Sequence, residues 1–134
     1  MDARVGHLEG RLPPAIEGAV DVMTAVVPYV PTEELRFLPR DVVAFEPRLA
    51  LDGGTGGVRP LTSVVARSTR WLRPGGWLLL EIGGDQAIAV GDRMRAAGFV
   101  EIAVLTDEDG DDRAIEARRP LRDPQGFPGS PVVL

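Results

Sequence analysis

The sequence predicts an α/β fold: a three-layer arrangement of helices on a sheet whose strands start parallel and end in an antiparallel hairpin. Three observations carry that prediction. Ala19–Val27 ("AVDVMTAVV") and Trp77–Gly83 ("WLLLEIG") are apolar runs too continuous for surface strands, the pattern of parallel strands buried on both faces. Each is followed downstream by apolar residues at helical spacing. Two further strand-like runs then flank the acidic "DEDGDD", as in a hairpin.

Taken in order, the first element is the strand Ala19–Val27. "PTEELRFLP" predicts a short helical turn, with Thr32 as its N-cap and Pro39 as its stop. Residues 40–60 read as irregular, ending in the flexible "LDGGTGG" of Leu51–Gly57. A helix is expected after Pro60, because Leu61, Val64, Val65, Ser68 and Leu72 share one face. "RPGG" at Arg73–Gly76 should break it before the second strand. Ala87, Val90, Met94 and Ala97 form another stripe, which Gly98 would terminate as a C-terminal cap. The hairpin strands are placed at Val100–Thr106 and Arg113–Arg119. The domain is expected to span residues 1–120, with a proline- and glycine-rich tail over residues 121–134.

Composition excludes several functions. The net charge of −5 offers no basic stripe for a nucleic-acid backbone. All 15 basic residues are arginine, which reads as a codon-composition bias. The chain has no cysteine, so disulfides, thiolate zinc sites and cysteine nucleophiles are ruled out. The opening "MDARVGHLEG" has no apolar run like that of a signal peptide, and no apolar stretch approaches membrane-spanning length. A cytoplasmic location is the expectation, with neither membrane nor nucleic acid as a partner.

The ending, together with "VPYVPTEEL", "FEPRLALDGGTGG", "RWLRPGGWLLLEIGGDQ" and "DGDDRAIEARRP", resembles the C-terminal half of class I S-adenosylmethionine-dependent methyltransferases. More particularly, it resembles the protein-(glutamine-N5) methyltransferases of the HemK release-factor type. The resemblance runs from about Val5 to Pro120 and implies a Rossmann-like methyltransferase sheet. In that family S-adenosylmethionine is the cofactor. A strand with an acidic, glycine-rich loop holds it, and that segment would precede Met1. "DGGTGG" lies after the PY turn and does not replace it. His7, in "GHL", stands where the family carries an acidic residue on the adenine side, and is expected to be a plain surface residue.

The resemblance also implies a site. The family's asparagine-proline-proline-tyrosine aligns with Val26, Val27, Pro28 and Tyr29. The asparagine orients a substrate glutamine amide, and a valine there can neither donate nor accept a hydrogen bond. Pro28 and Tyr29 remain as substrate-side frame, with Tyr29 stacking on a planar group or packing under its own turn. Glu46 and Arg48 are candidates for ligand contact or, preferably, an ion pair that pins their loop. Glu81 could serve as a base or cap a neighbouring backbone, and Trp71 and Trp77 read as core or rim. The acidic cluster Asp107–Asp112 lacks calcium-loop spacing and reads as a solvated turn. The expectation is thus a chain inactive by itself toward glutamine, with no cofactor of its own. It would act as a binding or assembly module, either as a homodimer or with a partner supplying the missing N-terminal half. The alternative is a small repurposed enzyme that takes an apolar substrate in the degenerate pocket.

Overall fold

A computed structural model describes residues 12–121, apart from the side chains of Val43, Phe45 and Leu49. Its sheet has four strands, β1 (Val20–Ala25), β2 (Leu72–Glu81), β3 (Val100–Thr106) and β4 (Asp112–Arg118), in the order β1-β2-β4-β3. β1 runs parallel to β2 with Met23 beside Leu78 and Ala25 beside Leu80, and the remaining pairs are antiparallel. The expected sequence of parallel strands closed by a hairpin is therefore the one that forms. The chain also contains helices α1 (Arg40–Phe45), α2 (Arg48–Leu51), α3 (Arg59–Trp71) and α4 (Gln86–Ala96), with 3₁₀ turns at Thr32–Phe37 and Thr55–Gly57.

The core lies between the sheet and the two long helices. α3 buries Leu61, Val64, Val65 and Ser68 at the predicted spacing, and Trp71 closes its last turn. α4 adds Val90 and Met94. These residues meet Leu78, Leu80, Ile82, Ile115 and Ala117, all at most 1% exposed. Gly98, at φ +86°, ends α4 in the expected way: its N–H donates to the Arg95 carbonyl, and the Phe99 N–H reaches the Met94 carbonyl.

Several expectations are corrected. Neither long strand is buried on both faces. Side chains alternate across a strand, so Leu78 and Leu80 lie under the helices while Trp77, Leu79 and Glu81 stay half-buried on the far face. β1 is half exposed, with Val22 at 58%. Among the described residues both long helices cover the same face, so the third layer is not represented there. "RPGG" does not separate helix from strand. α3 passes directly into β2 at Leu72, and the four residues bulge within the strand, between the pairs Val20–Leu72 and Val22–Trp77. Gly76 permits this, because a Cβ there would lie 3.0 Å from the Val20 carbonyl oxygen.

Residues 40–60 are not irregular either. Pro39 and Pro47 start α1 and α2, each supplying the extended N-cap that precedes a helix. Thr32 does not cap its turn, since its hydroxyl is given to Asp52 instead. The domain boundary at 120 and the tail beyond it fall mostly outside the described residues.

Candidate functional site

The PY turn leaves the carboxyl end of β1 at the edge of the described sheet. Val26 is 75% exposed, whereas Val27 is 7% exposed and belongs to the core. Tyr29 then returns toward the end of β2. Its ring rests on Gly83, where a Cβ would come within 3.0 Å of Cε2, so the absent side chain is what gives the ring its seat. The Tyr29 hydroxyl donates to Glu81 Oε1 at 2.7 Å. This hydrogen bond, then burial and the carboxylate's negative charge, push the phenol pKa up. Glu81 is therefore neither a free base nor a cap on backbone; it holds Tyr29.

The segment expected to be flexible is tied to this turn, backbone to backbone. The Val30 N–H donates to the Leu51 carbonyl at 3.0 Å, Gly53 N–H to Val30 at 2.8 Å and Thr32 N–H to Gly54 at 3.0 Å, a short parallel bridge. Asp52 secures it from below, accepting from the Thr32 hydroxyl at 2.5 Å, the Gly54 N–H at 3.0 Å and Arg48 Nε at 3.2 Å. The Thr32 bond and then the Gly54 bond hold its carboxyl below the usual range. Arg48 thus pairs with Asp52 and not with Glu46. Both predicted loop residues border a hollow of about 360 Å³ beside Leu35, one that Tyr29 does not line.

Gln86 completes the frame; it closes the motif "RWLRPGGWLLLEIGGDQ", but nothing in the sequence assigned it a role. It is 5% exposed at the start of α4. Its Oε1 accepts from the Gly83 N–H at 3.0 Å, while Nε2 donates to the carbonyls of Tyr29 at 2.5 Å and Gly56 at 3.3 Å. One amide thereby joins the PY turn, the glycine segment and the turn after β2. Gly57 makes the approach possible: it has φ +70°, and a Cβ there would overlap the Tyr29 carbonyl and the Gln86 amide. Pro28 is held in the same way, its carbonyl lying 2.8 Å from where a Cβ on Gly53 would stand.

The structure thus brings Pro28, Tyr29, Glu81 and Gln86 together and leaves Glu46 and Arg48 apart from them. His7 lies outside the described residues. Two hollows flank the tyrosine. One, of about 370 Å³, is lined by Ala25, Val26, Leu79 and Glu81; the other, of about 480 Å³, by Glu33, Glu34, Asp85 and Gln86. Among the described residues no group of acidic or histidine side chains is arranged to hold a metal. Asp107 instead organises the hairpin turn, accepting from the N–H groups of Asp109 and Asp111 and pairing with Arg113. Trp71 is a core residue, and Trp77 lies half-buried under Arg118.

No protein-family model matches the chain. Among curated proteins, the release factor glutamine methyltransferase of Moorella thermoacetica is 44% identical over 121 residues, covering 89% of this chain and 42% of that protein. Its counterpart from Cereibacter sphaeroides is 40% identical over 106 residues, 79% of this chain and 38% of that protein. A solved protein-(glutamine-N5) methyltransferase from Alicyclobacillus acidocaldarius superposes loosely, with a TM-score of 0.34 and 19% identity over 82% of this chain and 83% of that one. The chain spans about two fifths of the length of the curated relatives it matches. By its sequence, it belongs to the release factor glutamine methyltransferase family.

Proposed function

We propose that this chain keeps the substrate-side frame of its family as a binding and assembly module and does not methylate glutamine by itself. One observation carries the reading. At the two positions aligned with the family's asparagine and first proline, Val26 stands in solvent with no polar atom and Val27 is spent on the core. The turn around them is held together by the Gln86 clamp. Orientation of an amide needs a hydrogen-bonding partner, and its loss costs a rate factor on the order of 10⁴.

S-adenosylmethionine supplies an already activated methyl group in this family. The reading that the chain does not hold it alone is supported at the glycine-rich segment. Gly53 and Gly57, in the glycine-rich segment, are taken up in close packing against the PY turn and leave no open cradle at those positions. The assembly part of the reading is supported by β1. It is the edge strand of the described sheet, exposes Val22, and carries no lysine or proline to discourage pairing. A two-fold dimer through β1, or a partner chain supplying the neighbouring strand, would cover it. No helix among the described residues is long and apolar enough to cross a membrane, and a cytoplasmic location goes with the same reading.

Calorimetric titration with S-adenosylmethionine, and transfer of labelled methyl to a release-factor peptide, test the catalytic half. Light scattering tests the assembly half. The expected results are no heat of binding, no transfer above background and a mass above that of one chain. Low-micromolar cofactor affinity or measurable transfer would overturn the first part, and a monomer with protected β1 amides the second. The apolar walls of the 370 Å³ hollow favour a second reading, in which the chain takes its own small ligand there.

A further inference from the structure

The hollow beside Val26 opens on the sheet face opposite the long helices. Strand alternation and register place Thr24, Leu79, Glu81 and Ala114 together on that face. Val26 and Leu79 give it apolar walls, and Thr24 and Glu81 are among its few polar groups. Glu81 uses only one oxygen. Oε1 accepts the Tyr29 hydroxyl at 2.7 Å, and Oε2 makes no hydrogen bond or ion pair with any described residue. Because the phenol is the donor, the carboxylate receives that bond without being neutralised.

Among the described residues, the cation at the rim, Arg113, is committed elsewhere. Arg113 donates through Nε to Asp107 at 2.6 Å and through Nη2 to Asp111 at 3.4 Å. Two carboxylates against one guanidinium leave that end of the hairpin net negative, so Arg113 does not cancel Glu81. A half-buried carboxylate with an unused oxygen, set among hydrocarbon walls, attracts a cation more strongly than one in open water. The walls reward a charge that carries apolar surface of its own, which a hydrated inorganic ion does not.

We propose that this hollow binds an organic cation: an ammonium group on a short apolar body, with its N–H donors shared between Glu81 and Thr24. Its hydrocarbon lies against Val26 and Leu79. A free amine and a lysine side chain share this chemistry. The inference rests on the reading of the chain as a ligand-binding module.

The test is an NMR titration of the full chain with four probes: cyclohexylmethylamine, the isosteric cyclohexylmethanol, cyclohexanecarboxylate and N-acetyl-lysine N-methylamide. The amine should shift the signals of Ala25, Val26, Leu79 and Ala114 saturably and bind at least about tenfold more tightly than the alcohol. Glu81→Gln should remove most of that advantage, and added salt should erode it. A lysine derivative that binds as well as the amine identifies a peptide source, and one that binds worse a small amine. If the alcohol or the carboxylate binds as tightly as the amine, the hollow is a ligand site and the cation assignment is overturned. If no probe gives a saturable shift, the cation assignment and the ligand-binding reading of this hollow fall together. The comparison among probes on the unmutated chain stands whether or not the variant folds.

Discussion

Replacing Gln86 by leucine tests whether one amide holds the candidate site in shape. Gln86→Leu keeps side-chain bulk and deletes an acceptor and a donor. It removes the bond from the Gly83 N–H at 3.0 Å and that to the Tyr29 carbonyl at 2.5 Å; the third, to Gly56 at 3.3 Å, is long enough to count for little. Two sound bonds contribute about 1 kcal/mol each, and partners left with little access to water add about another 1 kcal/mol. The expected loss is about 3 kcal/mol from a domain whose total is about 5–15 kcal/mol. Gln86→Glu separates this from a packing effect. It keeps the acceptor for Gly83 but turns a carboxylate oxygen toward two carbonyls, which raises the folded-state pKa of the new group. Its extra destabilisation should therefore be absent below the ordinary glutamate value of about 4.3 and grow as pH rises above it. Urea unfolding at constant m reads the magnitude, and hydrogen exchange at Val30 and Gly53 reads the site. A loss below about 1 kcal/mol, with those two amides still protected, would mean that the backbone bridge holds the turn without the clamp.

Two glycines one residue apart offer a paired experiment. Gly56→Ala meets open space at φ +66° and should cost about 1 kcal/mol of backbone strain. Gly57→Ala adds overlap with the Tyr29 carbonyl and should cost more than about 3 kcal/mol or prevent folding. Equal losses in urea would show that the close approach is not what selects glycine. Tyr29 is the only tyrosine, so an absorbance titration reports it alone. It should ionise above its ordinary value near 10, chiefly through its bond to Glu81, and fall back toward that value in Glu81→Gln. A raised folded-state pKa means the contribution to stability is intact below about pH 10 and is lost as pH rises through the shifted value. Ionisation at the ordinary value in the unmutated chain would contradict the hydrogen bond.

The legible parts of the fold are those whose signal is local and periodic. The α3 stripe of Leu61, Val64, Val65 and Ser68, the Gly98 cap and the closing hairpin each follow from a few neighbouring side chains. The misread parts depend on what lies across the fold. "AVDVMTAVV" has the composition of a strand covered on both sides, but composition cannot say whether the cover is present, and Val22 is exposed. Pro39 was legible as a stop, yet proline ends one helix and starts the next equally well, and here it does both. Gln86 ends the motif "RWLRPGGWLLLEIGGDQ", yet a motif names a residue without saying what its side chain holds. Its chief partner is Tyr29, 57 positions away, and that distance hides it from any window along the chain.

That same geometry makes the PY turn independent of the two residues before it. The PY turn is held by the backbone of Val30, by the glycines at 53 and 57, by Gln86 and by the Tyr29–Glu81 bond. None of these uses the side chains of Val26 or Val27. Val27 stabilises the domain on its own account by entering the core, and burying a valine is worth about 1.5 kcal/mol or more. Val26 stands in water, where substitution is nearly neutral. On the alignment proposed above, a side chain that held an amide at these positions could be replaced by valine without a folding cost that would force the frame to change with it. The proposed role as a scaffold for a different ligand, or for another chain, asks only that the turn hold its shape without those two side chains. Glu81, already oriented by Tyr29 at the edge of the hollow, is the charged group best placed to serve it.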